Sequence, residues 1–177
     1  MRLFVAVDLP WPLREHLTQL AGGLKAARWQ PPENHHLTLR FLGELPRYRA
    51  EEADAALAAV QGRGFELVMR GVGVFARPGR PASLWAGAER NPALDHLQAR
   101  IEVALQRAGL EPERRRFSPH VTLGRIHNAP ADELAGWIAA HNLFRADPVP
   151  VAHFTLFSSR LGKEQSAYTP EVEYELA

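Results

Sequence analysis

Two segments of the chain spell the same alternation of polar and apolar residues, His36-Leu37-Thr38-Leu39 and His120-Val121-Thr122-Leu123, 84 residues apart. On a β-strand successive side chains point to opposite faces, so each copy puts a histidine and a threonine on one face and two apolar residues on the other. The same spacing extends to the surroundings: strands expected at 65–75 and 83–87 map onto 149–159 and 167–171, where strands are expected independently. A duplicated unit of this size predicts an α+β fold of two lobes related by a pseudo-twofold, each an antiparallel sheet backed by helices. The motif strands, near 36–42 and 120–126, then line a central cleft. Residues 1–177 are expected to form a single bilobal domain.

The rest of the pattern fits two such units. Leu3 to Val7 reads as a first strand, and Pro10-Trp11-Pro12 opens a helix carrying Leu13, Leu17, Leu20 and Leu24. An extended loop, Trp29 to Asn34, delivers the chain into the first motif. Glu51 to Val60 is helical by propensity, Phe65 to Phe75 a strand with embedded glycines, Arg77 to Pro81 a loop and Ser83 to Gly87 a short strand. The order then starts again. A helix from Asn91 carries Leu94, Leu97, Ile101 and Leu105 on one stripe and closes at Gly109; helix 132–143 and strands 149–161 and 168–176 follow the second motif.

Composition narrows the chemistry. Without cysteine there is no disulfide framework, thiolate metal site or thiol nucleophile. No apolar run is long enough for a membrane span or a signal-peptide core, and the expected setting is cytoplasmic. The formal net charge of +1 gives no overall field for holding a long nucleic acid, so any anion contact must be local. Arg114-Arg115-Arg116 precedes the second motif, and Arg40, Arg47 and Arg49 lie on or just after the first. Each is either a phosphate contact or a solvated surface charge.

Histidine exchanges protons near neutrality, so two of them can share one displacement, one as base and the other as acid. That suits metal-independent hydrolysis of a phosphodiester, with Thr38 and Thr122 donating hydrogen bonds to the phosphate oxygens. Neither motif brings the further ligands or carboxylate of a zinc site, and no phosphate-binding glycine loop or dinucleotide fingerprint appears, so no metal or cofactor is expected. A third match, His153-Phe154-Thr155-Leu156, is a decoy by the same offset, because it falls opposite Met69 and not opposite a motif. His35 points away from Thr38, and His16, His96, His127 and His141 fall on helices or near loops, as surface residues.

The motifs in their context resemble the 2H phosphoesterases, and among them the bacterial and archaeal RNA 2′,3′-cyclic phosphodiesterases, also called 2′-5′ RNA ligases. The resemblance rests on Arg2-Leu3-Phe4-Val5-Ala6-Val7, on His36 to Gly43, on Ser83-Leu84-Trp85 and on Phe117 to Arg125. Leu156-Phe157-Ser158-Ser159 and Tyr168 extend it nearly to the end of the chain. It implies that a terminal RNA 2′,3′-cyclic phosphate is opened to a 2′-phosphomonoester, with His36 as proton donor and His120 as proton acceptor. The alternatives are reversible 2′-5′ RNA ligation, another cyclic-nucleotide phosphodiesterase, or a non-catalytic RNA-end binding module. The expected partner is an RNA with a 2′,3′-cyclic phosphate end or a related cyclic nucleotide, with no membrane and no obligate protein partner. The resemblance also implies phosphate contact by Arg125, which strand parity places opposite His120 unless Gly124 allows a bulge. The ending departs from the resemblance, with Glu171 and Glu173 where apolar residues are usual.

Overall fold

The chain alternates strands with helices in the order β1 (Arg2–Asp8), α1 (Trp11–Thr18), β2 (Arg28–Trp29), a 3-10 turn (Pro32–Asn34), β3 (His36–Glu44), α2 (Arg47–Ala58), β4 (Phe65–Leu67), β5 (Met69–Phe75) and β6 (Ala82–Ala88). It continues with α3 (Pro92–Arg107), β7 (His120–Ile126), α4 (Ala131–His141), β8 (Val149–Val151), β9 (His153–Arg160) and β10 (Ala167–Glu175). This computed structural model describes residues 1–76 and 78–177; Arg77, the first residue of the expected loop Arg77–Pro81, lies outside the described residues.

The strands form an antiparallel eight-stranded sheet in the order β10-β9-β1-β3-β7-β6-β5, with β2 paired to β7 off this path, and a small second sheet of β4 and β8. The expected α+β architecture is present, with the two halves joined through the motif strands β3 and β7. Each half also lends strands to the other. β9, from the second half, pairs with β1, and β5, from the first, pairs with β6. β6 therefore occupies the place in the second half that β1 holds in the first. β10, its counterpart by sequence offset, is an added edge strand.

Alternation sorts the sheet residues by face. Leu3, Val5, Val7, Leu37, Leu84 and Val121 are buried against the helix leucines Leu13, Leu17, Leu57 and Leu97 and against Ile101 in one core. Burial of side chains of this size contributes roughly 1.5–3 kcal/mol each. Phe4, Ala6 and Phe157 point the other way and form a separate cluster with Tyr168. That second face is the one on which His36 stacks against Phe4.

Several expected boundaries move. Helix α1 stops at Thr18, so Leu20 and Leu24 are buried from the loop that follows. Gly22 and Gly23, at φ +113° and +78°, turn the chain out of helical geometry there. Helix α2 begins at Arg47, directly after Pro46. The strand expected over 65–75 divides into β4 and β5, and its counterpart divides into β8 and β9 in step, so that β4 and β8 pair with each other. The acidic ending has a plain reason: β10 is a sheet edge, where proline and charge discourage pairing with another chain. A register shift between Pro170 and Val172 sets Glu171 out of the ladder, and its carboxylate accepts a 2.6 Å hydrogen bond from Ser158 Oγ.

Arg40, expected as a candidate phosphate contact, is a structural residue. Its side chain is 6% exposed and forks onto Glu102 of α3 at 2.6 and 3.2 Å, with further bonds to the carbonyls of Phe41 and Glu111. Burial pushes the Glu102 carboxyl up, but Arg40, Gln106 and the Glu113 N–H outweigh it and hold its pKa at about 2. Arg47 and Arg49 pair with Glu51 and Glu52 along α2. Among the described residues no helix is long and apolar enough to cross a membrane.

Removing one partner of a buried ion pair strands the other, so Arg40→Met should lower the unfolding free energy by about 3–5 kcal/mol in urea titrations. Because the Glu102 carboxyl titrates lower folded than its ordinary 4.5, its contribution is complete above that value and is lost as pH falls toward 2. Glu102→Gln should flatten that part of the stability profile.

Candidate active site

β3 and β7 touch through one ladder pair, Leu37 opposite Val121. These two residues are themselves equivalent in the repeat, so the pseudo-twofold passes between them. An antiparallel register centred there puts His36 opposite Thr122 and Thr38 opposite His120, all on the face away from the core. Directly opposed Cβ atoms lie roughly 4.5–5.5 Å apart and diagonal ones roughly 7–8 Å, so the two histidines occupy diagonal corners of a small polar square. All four side chains are half-buried, while Leu37 and Val121 beneath them are fully buried.

Past the threonines both strands bulge at equivalent places. On β3, Thr38 pairs with Ala6 and Arg40 with Val5, which skips Leu39; on β7, Thr122 pairs with Trp85 and Gly124 with Leu84, which skips Leu123. The extra residue reverses parity. Ile126, which simple alternation would place beside His120, is in the core at 1% exposure, and Arg125 comes round to the His120 face. Gly124 leaves room for β2 beside this bulge: a Cβ there would stand 2.8 Å from the Arg28 carbonyl oxygen and 2.9 Å from the Trp29 ring.

The two histidines sit in different surroundings. His36 is packed by aromatic rings, stacked on Phe4 at 4.8 Å and Phe157 at 5.7 Å, with Tyr168 edge-on at 4.9 Å. Burial, helped by the positive charge of Arg14 and by His35, lowers its pKa to about 3, so the ring is neutral in the free protein. Arg14 is fixed by Asp8 and by the carbonyls of Leu9 and Glu33, which also anchors the turn leading into His36.

His120 is instead oriented by a hydrogen bond. Its Nδ1 lies 2.7 Å from the Ser118 carbonyl oxygen, which can only accept, so Nδ1 carries the proton and Nε2 keeps a free lone pair when the ring is neutral. Burial lowers its pKa and the Ser118 bond partly restores it. Phe75 stands edge-on at 5.0 Å and Trp85 is tilted at 6.1 Å. Trp85 lies flat on the bare backbone of Gly73, where a Cβ would come within 2.1 Å of the indole.

This geometry has known relatives. The chain matches the family described as LigT like Phosphoesterase over residues 7–85 and 87–168. It belongs to that family. A protein of Methanothermobacter thermautotrophicus named RNA 2′,3′-cyclic phosphodiesterase is 30% identical over 177 residues, covering 96% of this chain and 95% of that protein. One of the same name from Aeropyrum pernix is 40% identical over 98 residues, 55% of this chain and 56% of that protein. Among solved structures, E. coli LigT complexed with 3′-AMP superposes with a TM-score of 0.79 at 25% identity, covering 99% of this chain and 97% of that one. The protein TT0787 of Thermus thermophilus superposes with a TM-score of 0.81 at 26% identity, with 99% and 97% coverage.

The remaining histidines of this LigT-like chain stand apart from the square. His35 is 1% exposed and turned to the opposite side of the strand entry from His36. His153 begins β9 next to the sheet edge, half-buried, with Nε2 3.7 Å from Glu173. His16, His96 and His127 are exposed, and His141 packs on Trp137 at 5.7 Å. Arg114, Arg115 and Arg116 are exposed ahead of β7. Sequence reasoning missed the aromatic packing around each histidine, the strand β2 and the bulge on β3. The run Leu123-Gly124-Arg125-Ile126, which breaks strict alternation at a glycine, was the available signal for the second bulge.

The depressed pKa of His36 is directly observable. In an NMR titration of the free protein its ring resonances should stay those of neutral imidazole down to about pH 4, and a 2′-phosphomonoester should move the midpoint upward. An ordinary midpoint near 6.5 in the free protein would contradict the site described.

Proposed function

We propose that this chain hydrolyses terminal RNA 2′,3′-cyclic phosphodiesters to 2′-phosphomonoesters without a metal, with His36 as proton donor and His120 as proton acceptor. The observation that carries the assignment of roles is the Ser118 carbonyl on His120 Nδ1, which leaves Nε2 as a base aimed by a fixed tautomer. LigT-like relatives named for this activity supply the substrate class. The setting proposed is cytoplasmic RNA. Residues 1–177 are proposed to act as one bilobal unit, because each half completes the sheet beside the other's histidine.

Water attacks phosphorus while His120 Nε2 takes its proton. The bond from phosphorus to the 3′-oxygen breaks, and His36 delivers a proton to that oxygen, leaving a 3′-hydroxyl and a 2′-phosphate. Thr38 and Thr122 donate to the non-bridging oxygens, and Arg125, brought to this face by the bulge, presents a guanidinium to phosphate. His36 takes up its proton from solvent as the substrate binds. A bound phosphate anion offsets the Arg14 charge that helps keep the ring neutral, and so raises its proton affinity.

A short RNA ending in a 2′,3′-cyclic phosphate should be converted to the 2′-phosphomonoester in EDTA; turnover only on adding metal would defeat the proposal. His36→Ala and His120→Ala should each lower kcat by roughly 10²–10⁴-fold, and His153→Ala should leave it nearly unchanged. With chemistry rate-limiting, kcat/KM should be bell-shaped in pH. Both histidines titrate below the ordinary 6.5, so the basic limb should begin on the acid side of that value.

A further inference from the structure

In the ladder between β1 and β3, Asp8 stands directly opposite His36. Residues so opposed point to the same side of the sheet, and the neighbouring pair, Val7 and Leu37, is buried in the core. Asp8 is therefore on the face of His36 and Thr38, at the end of its strand. The other half of the repeat has no such group. There β6 holds the place of β1, and the residue opposite His120 is Gly87. A Cβ at Gly87 would stand 2.9 Å from the Arg70 carbonyl oxygen, so the position has no room for a side chain. One histidine of the square faces a carboxylate, and the other faces bare backbone.

The carboxylate is fixed where it stands. Arg14 of α1 donates to Asp8, to the Leu9 carbonyl at 2.7 Å and to the Glu33 carbonyl at 3.2 Å, and both members of the ion pair are half-buried. The same guanidinium thus ties the end of β1 to the turn that leads into His36. The other charged or titratable groups around the ring are placed less well to balance a charge on it. Glu33 is exposed, His35 is turned to the opposite side, Tyr168 of β10 stands edge-on at 4.9 Å, and His120 of β7 is the second imidazole of the square. An imidazolium packed by Phe4, Phe157 and Tyr168 loses much of its hydration, so it needs an anion nearby.

We infer that Asp8 is a positioning residue for His36: a fixed counter-charge that steadies the imidazolium formed when substrate binds, with Arg14 holding the carboxylate in place and sharing its charge. A proton donor must first hold its proton and then release it. A free carboxylate beside the ring would keep the proton, and without a carboxylate the ring would depend on the substrate phosphate alone. One shared with Arg14 lies between these limits. The inference rests on the reading of His36 as proton donor, and it separates the two halves of the site: the donor has a built-in counter-charge and the acceptor has none.

The test is an NMR titration of both rings in the full chain saturated with adenosine 2′-monophosphate. Asp8→Asn keeps the shape of the side chain and can still accept from Arg14. It removes a negative charge and leaves the Arg14 charge unbalanced, and both changes act in one direction. Proton binding at His36 should weaken about tenfold, and His120, opposite Gly87, should titrate as in wild type. Asp8→Glu should restore most of the His36 value. At neutral pH, kcat/KM for a dinucleotide ending in a 2′,3′-cyclic phosphate should fall about tenfold in Asp8→Asn, through loss of the protonated donor. An unchanged His36 in Asp8→Asn, an equal change at both rings, or an Asp8→Glu that behaves like Asp8→Asn would overturn the inference. Failure of the parent reading would look different: wild type would not open the cyclic phosphate in EDTA, while the Asp8→Asn change at His36 persists.

Discussion

The contact between Leu37 and Val121 is the point on which the arrangement turns. It is one ladder pair, buried on the core side, and it lies on the axis relating the two halves. Because side chains alternate, fixing this pair fixes what stands on the opposite face: two histidines on one diagonal and two threonines on the other. A slip of one residue in either strand would send that strand's histidine and threonine into the core and bring leucines to the surface. The register is thus enforced by hydrophobic burial, and the polar square inherits its precision from residues that do no chemistry.

Symmetry supplies two imidazoles, yet the two are not alike. The difference comes from the packing around each ring. His36 is enclosed by Phe4, Phe157 and Tyr168, with the fixed charge of Arg14 nearby, and is neutral in the free protein. His120 is tied through Nδ1 to a backbone carbonyl and keeps one nitrogen free to accept. Equivalent positions in a duplicated fold differ in proton affinity through what surrounds them, as with paired titratable groups whose environments push their pKa values apart.

How far these features were legible in the sequence depended on their range. The motif alternation and the 84-residue offset identified β3, β7 and the α+β architecture, and they separated His153 from the pair, because all of these are written as local periodicity. Leu13, Leu17, Leu20 and Leu24 read as one helix because their spacing is helical; the chain instead tightens to i→i+3 bonds from Gln19 to Ala21 and then turns away at Gly22 and Gly23. Arg40 reads as a phosphate contact or a solvated charge, and is neither in the structure, because its partner, Glu102, is 62 residues away and unpredictable from charge alone. The face of Arg125 turns on whether Gly124 bulges, which the sequence leaves open because a bulge is a property of two strands together. β2 has two residues and no periodicity to read; it exists because β3 and β7 part company.

The exchange of strands between the halves has a meaning for how such a chain is put together. β1 is flanked by a strand of the second half and β6 by a strand of the first, and β4 pairs with its own counterpart β8. A single copy of the repeat would carry a bare edge where the other copy's strand belongs, and two copies would close each other's edges. The pairing has the geometry of a strand-swapped homodimer carried within one chain. Within one chain the two copies need not be identical, and here one imidazole is held by rings and the other by a carbonyl.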